Sequence, residues 1–461
     1  SIILNYVFAA FISREPRKTQ ARTTDVDQSL PAGHSEVAQQ NRRGLRPKLL
    51  LGAGIAFNLG ILISLKYSNF IITTANEGFS LIGLDSLHFT SFPIYPTLGV
   101  SFFTFSAMSY LVDLYRGEVS FDRNPINTAL YISFFPKLLA GPIVRYRDVA
   151  DQMTERQVTL DKFASGMQRV VVGLGKKVLI ADTLGGVANQ IFGIPASQLT
   201  PELSWLGIAC FTLQIYFDFS GYSDMAIGLG RMAGFDFLEN FNYPYVSQSV
   251  REFWRRWHIS LSTWFRDYLY IPLGGNRRGA VRLCANLMIV FFLCGLWHGA
   301  GWTFVVWGIW HGTFMVLEHT RFGKVVGKVW SPVQWAYALL VAMIGWVFFR
   351  ASTIGYATSF VMSMFGYAHG NGLQYPIDMY VDRLTIVALV AAVIGCFPVF
   401  PALARYRETV IGWSKTRSQT VQSVVVAGYT LAGLCFLGGI LILSAMVVAG
   451  TTYKAFLYFQ F

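Results

Sequence analysis

Apolar runs of about 20 residues alternate with loops that are by turns rich in and free of Lys and Arg. This pattern constrains the chain most, because helices of that length cross a bilayer and Lys and Arg gather on its cytoplasmic side. Residues 14–48 carry Arg14, Arg17, Lys18, Arg22, Arg42, Arg43, Arg46 and Lys48. Residues 49–72 then read as a span into the Lys- and Arg-free stretch 73–92, and residues 95–115 return to Arg116 and Arg123. Lys176 and Lys177 precede an apolar segment reaching the Lys-free loop 195–204, and 206–229 comes back to the basic region 231–282. Residues 283–318 read as a hairpin, and 335–349, 384–400 and 424–448 complete a count of about eight spans. With 53% hydrophobic and 13% charged residues, the chain carries far less charge than a soluble domain. The expectation is an all-α polytopic membrane protein whose C-terminus faces outward. Its formal charge of +12 belongs in cytoplasmic loops and not on nucleic acid.

The chain opens on Ser1-Ile2-Ile3-Leu4 inside an apolar run, so a further membrane segment is expected upstream. Residues 1–48 thus read as a partial membrane segment with a polar, basic cytoplasmic linker, and 49–461 as the main domain. The cysteines Cys210, Cys284, Cys294, Cys396 and Cys435 are scattered without a CxxC pair, and no HExxH occurs, so neither a disulfide framework nor a metal site is expected. Residues 132–144 contain Pro136, Lys137, Gly141 and Pro142, which suits a re-entrant or surface-lying element or else a kinked span. In 251–270, Trp254, Trp257, His258, Leu261, Trp264, Phe265 and Tyr268 fall on one helical face, and Arg251, Arg255, Ser262 and Arg266 on another. That spacing predicts a basic amphipathic helix lying flat in the cytoplasmic interface, its arginines toward lipid phosphates or an anionic substrate and His258 turned inward.

The hairpin contains Gly295-Leu296-Trp297-His298-Gly299, and the pattern returns as Gly308-Ile309-Trp310-His311-Gly312. Ionisable residues inside a span are costly and mark functional sites. An inward His258 and a span-embedded His298 are expected to converge on one chamber, where a neutral imidazole takes a proton from a hydroxyl or thiol and returns it. His311, flanked by small residues four apart, reads as a packing histidine bonded across helices. Gln214, Asp218 and Tyr222 share a helical face and suit orienting a histidine, lining a substrate path or joining helices. The run Gly274-Gly275-Asn276-Arg277-Arg278-Gly279 suits either a phosphate cradle or a plain cytoplasmic turn.

Together, residues 133–142, 214–230, 252–270, 274–277 and 295–299 resemble the motifs of the membrane-bound O-acyltransferase family, in particular its bacterial branch that acylates extracellular polymers. The resemblance runs from about residue 49 to the C-terminal 458–461. It implies a funnel-shaped bundle of helices, with re-entrant and interfacial helices around a central tunnel. It also selects His298 over His311 as catalytic, with His258 at the second position and Trp257, Trp297, Asn276 and Arg277 among the supporting residues. By similarity, acetyl-CoA or an acyl carrier supplies acetyl at the cytoplasmic face of the bacterial inner membrane, with no cofactor bound. The acceptor is an exopolysaccharide, alginate or another such as cellulose, reached directly or through an extracytoplasmic acetyltransferase partner. A proton-coupled carrier or flippase, using the same path without chemistry, and a lipid acceptor are the competing readings.

Overall fold

The computed structural model describes residues 1–14, 45–91, 99–367, 370–450 and 456. The linker, the start of the expected 95–115 span and the C-terminal 458–461 lie outside the described residues. Among the described residues the chain forms helices and no strands, as expected of an all-α membrane protein. Four helices are long and apolar enough to cross a membrane: Leu45–Leu81, Ala280–His298, Ser331–Arg350 and Gln419–Gly450. A fifth is added if Arg383–Gly395 and Val399–Ser414, bent by 64° to each other, form one span.

Four or five of the expected spans thus meet that length and apolarity among the described residues, and the others fall short of it for identifiable reasons. The expected straight span at 384–400 breaks just before Val399, where Pro398 removes a backbone donor. Val100–Arg116 and Trp302–Leu317 are only 17 and 16 residues long. The 32-residue helix Pro201–Met232 is long enough, but Gln214, Asp218, Ser220 and Ser223 are buried along it and dilute its apolar character.

The chain divides into two compact units: 1–139 with 144–155, and 140–143 with 156–461. In the first, Asn5 and Asn58, both fully buried, exchange amide hydrogen bonds of 3.0 and 2.7 Å, joining Ile2–Arg14 to Leu45–Leu62. Such an interhelical bond satisfies polar groups that lipid cannot. The Pro136 region is broken into Pro125–Ser133 and the short turn Phe135–Leu138. Lys137 is buried there, its Nζ 3.2 Å from Ser106 Oγ and 4.2 Å from the Tyr131 ring centroid.

The second unit is built on Pro201–Met232. Its start follows from sequence: the Thr200 side chain accepts from the Leu203 N–H, Pro201 needs no donor in the first turn, and Glu202 faces the positive end of the helix. Leu160–Gly175 packs against it in the opposite direction, backbone to backbone. A methyl on Gly166 would lie 2.6 Å from Gly228 O, and one on Gly173 2.5 Å from Gly221 O. The reverse contacts are as tight, 2.6 Å from Gly228 to Gly166 O and 2.8 Å from Gly221 to Gly173 O. At that distance ion pairs can form across the seam. Lys177 Nζ meets Asp218 at 2.7 Å and Lys176 Nζ meets Asp224 at 2.6 Å, while Asp182, on the same side as Lys177, also pairs with it at 2.8 Å.

Candidate active site

The repeated Gly-x-Trp-His-Gly pattern belongs to the hairpin Ala280–His298 and Trp302–Leu317. The first glycine of each copy faces the other copy: a methyl on Gly295 would lie 2.4 Å from Phe304 O, and one on Gly308 2.3 Å from Phe291 O. The repetition is thus the packing signature of two antiparallel helices. Its two histidines land in different places. His298 ends the first helix at the turn, whereas His311 lies within the second.

The expected amphipathic helix at 251–270 is interrupted. Val250–Arg256 and Ile259–Phe265 are separate helices, followed by a π-helical turn at Arg266–Tyr270. His258, between the first two, has φ 43°. A non-glycine residue in the left-handed region is uncommon and is held there by its surroundings. The backbone groups freed by the break are taken up by the loop after Pro201–Met232: Asn242 N–H donates to Arg256 O (2.9 Å), and Ile259 N–H donates to Asn240 O (2.9 Å). Helical spacing survives the break, so Trp254, Trp257, His258, Leu261, Trp264 and Phe265 are all buried. Tyr268 is only half-buried.

The break and the hairpin turn bring the two histidines together, with ring centroids 6.4 Å apart. His258 is 0% exposed and His298 5%. Trp297 lies 5.0 Å from His298 and 6.1 Å from His258, and Trp307 and Phe349 complete the wall around His298 at 4.9 and 5.4 Å. Phe219 stands edge-on to His258 at 4.6 Å. His258 Nδ1 is 3.1 Å from Asn240 Oδ1. That oxygen can only accept, so Nδ1 carries the hydrogen and Nε2 holds a lone pair. Burial pushes the His258 pKa down, which keeps the ring neutral.

His311 has the opposite arrangement. Its Nδ1 accepts from Trp254 Nε1–H at 3.4 Å, so the hydrogen sits on Nε2, and Gly345 leaves room for the ring: a methyl there would be 2.6 Å from Nε2. Its lone pair is engaged across helices, as its packing role requires. Replacing His311 by Gln, which keeps an acceptor, is expected to leave activity within about threefold while lowering stability by about 1 kcal/mol. Acyl-transfer assays and thermal melts of purified protein check this. A rate loss as deep as at His298 would refute it.

The remaining expected site residues separate. Trp257 is buried between Phe241 and Trp346, at 5.1 and 4.9 Å. Gln214, Asp218 and Tyr222 share one helix but meet different neighbours. Gln214 lies against Gly185, Asp218 pairs with Lys177, and the Tyr222 ring meets Phe456 at 4.9 Å. Asn276 and Arg277 sit exposed in the turn before Ala280–His298, with Arg277 N–H bonded to Gly274 O. Asn240 and Ser260, both in the His258 network, were not among the expected residues. Asn240 lies in an irregular loop where no periodicity marks it.

A buried, neutral His258 in an apolar chamber suits proton transfer. The sequence profile of MBOAT, the membrane-bound O-acyltransferase family, matches residues 118–358. The chain is 40% identical over 432 residues to the probable alginate O-acetylase of Azotobacter vinelandii, covering 89% of this chain and 84% of that protein. It is 35% identical over 351 residues to the peptidoglycan O-acetyltransferase of Helicobacter pylori, covering 69% and 65%. With the teichoic acid D-alanyltransferase of Bacillus subtilis it shares 30% over 262 residues, covering 53% and 65%. The chain belongs to the membrane-bound O-acyltransferase family and is a multi-pass membrane enzyme.

Proposed function

We propose that this enzyme transfers acetyl from a cytoplasmic thioester, acetyl-CoA, to hydroxyl groups of an exopolysaccharide, alginate, at the bacterial inner membrane. Acetyl reaches the polymer directly or through an extracytoplasmic acetyltransferase. The observation that carries the reading is the convergence of His258 and His298, 6.4 Å apart between ring centroids, in one aromatic chamber. The substrate assignment rests on the similarity to the alginate protein over most of both chains.

In the proposed step His258 Nε2 takes the proton of the attacking hydroxyl as its oxygen bonds to the thioester carbonyl carbon. The C–S bond then breaks, and the imidazolium returns that proton to the departing thiolate, so the ring ends as it began. His298 donates its ring N–H to the carbonyl oxygen as negative charge develops there. Such a donor is worth about 10²–10³ in rate, and a general base about 10²–10⁴. A proton-coupled carrier would make use of an intramembrane carboxylate such as Asp218. Its ion pair with Lys177 supports a structural role instead.

The test supplies radiolabelled acetyl-CoA to inside-out membrane vesicles from cells that make the polymer but lack the native protein, complemented with this chain. Label in ester linkage on alginate is the expected result. Label in lipid would replace the acceptor, and uptake of label without thioester cleavage would favour a carrier.

A further inference from the structure

We propose that Asn240 is a positioning residue for the transfer: it locks His258 in the Nδ1–H form and so keeps the Nε2 lone pair available to the reacting hydroxyl. The inference rests on the acyl-transfer reading and extends it to a residue that no motif marks.

Hydrogen-bond direction fixes each member of the network. Ser260 backbone N–H, which can only donate, lies 3.2 Å from Asn240 Oδ1, so the amide oxygen and not its nitrogen faces this side. Asn240 Nδ2 donates on the other side to Ser223 Oγ at 3.0 Å. Ser260 Oγ accepts from Ile143 N–H at 2.9 Å and donates to the same Oδ1 at 2.9 Å. An amide flip would set Nδ2 against the Ser260 N–H, donor against donor, in a site where Asn240 and His258 are 0% exposed and Ser223 is 2% exposed. With the oxygen fixed, the facing ring nitrogen must carry the hydrogen.

The loop is anchored as well as the side chain. Asn240 O accepts from Ile259 N–H, immediately after the strained His258. The next residue back, Glu239, shares Arg169 with Asp224, which follows Ser223. One guanidinium therefore clamps the loop to Pro201–Met232 beside the Asn240–Ser223 bond. The rings packed on His258 are Phe219, Phe241, Trp297 and the titratable His298, while Glu239 and Asp224 are engaged by Arg169.

Three variants of the full-length purified protein test the proposal: Asn240→Leu, Asn240→Asp and His258→Gln. Solid-state ¹⁵N spectra of histidine-labelled protein, with the His258 signals identified by their loss in His258→Gln, should show Nδ1 protonated and Nε2 not. In Asn240→Leu the other form should appear and kcat should fall about 10²-fold or more, with KM for acetyl-CoA little changed. Asn240→Asp keeps an acceptor but adds negative charge that stabilises the imidazolium. It raises the His258 pKa, so the acid limb of the rate profile should move to higher pH, by about one unit or more. The isosteric Asp variant keeps the test decisive if Asn240→Leu does not fold. An unmoved acid limb in Asn240→Asp, or an unchanged tautomer and kcat in Asn240→Leu, overturns the proposal. If His258→Gln itself transfers acetyl normally, the fault lies with the base assignment and not with Asn240 alone.

Discussion

Acetyl transfer should fall by about two to four orders of magnitude in His258→Gln, the range for loss of a general base. His298→Ala should lose about two to three, the range for a donor to a developing oxyanion. Both side chains lie in one chamber and act on one reaction, so the double variant should lose much less than the product of the single effects. His298 closes its helix at a turn and His258 sits at a helix break, so neither lies in the middle of a helix. Membrane abundance and size-exclusion profiles should therefore stay near wild type while transfer collapses. A folded His298→Ala enzyme with normal transfer would remove that ring from the mechanism.

The largest stability effect is expected at Lys177. Its side chain is 7% exposed and that of Asp218 3%, with their charged atoms 2.7 Å apart. Lys177→Met leaves the Asp218 carboxylate buried without that ammonium, a change that costs about 3–5 kcal/mol. Lys177→Met/Asp218→Leu removes both charges and should recover most of the loss, because a buried pair contributes little beyond an apolar replacement of similar size. The half-buried Asp182, also paired with Lys177, keeps the recovery incomplete. Thermal melts of the two variants in one detergent decide it: equal destabilisation would show that Asp218 does not depend on Lys177 for its charge.

Much of this was legible in the sequence because membrane burial imposes period and composition. The hairpin turn near His298, the inward stripe of 251–270 and the cross-helix bond of His311 all followed from spacing. The break at His258 did not, since the buried positions keep helical spacing across it. Asn240 stayed hidden for a related reason. It reaches His258 only because the loop folds back to pair the backbone groups that the break exposes, and no local pattern encodes that return. Apolar length was diluted where polar residues serve other helices, as in Pro201–Met232, and the partner of Asp218 was not legible because its cation lies on a different helix.

The glycine seam between Leu160–Gly175 and Pro201–Met232 has a consequence for the history of the sequence. At most packed positions a side chain gained on one helix can be offset by a smaller one opposite. At Gly166 with Gly228, and at Gly173 with Gly221, both partners are already the smallest residue. No second substitution can restore the lost space, so no neutral path leads away from these pairs. Variation that adapts the enzyme to a new polymer is therefore expected away from these pairs, which set the axis that holds Ser223 beneath Asn240.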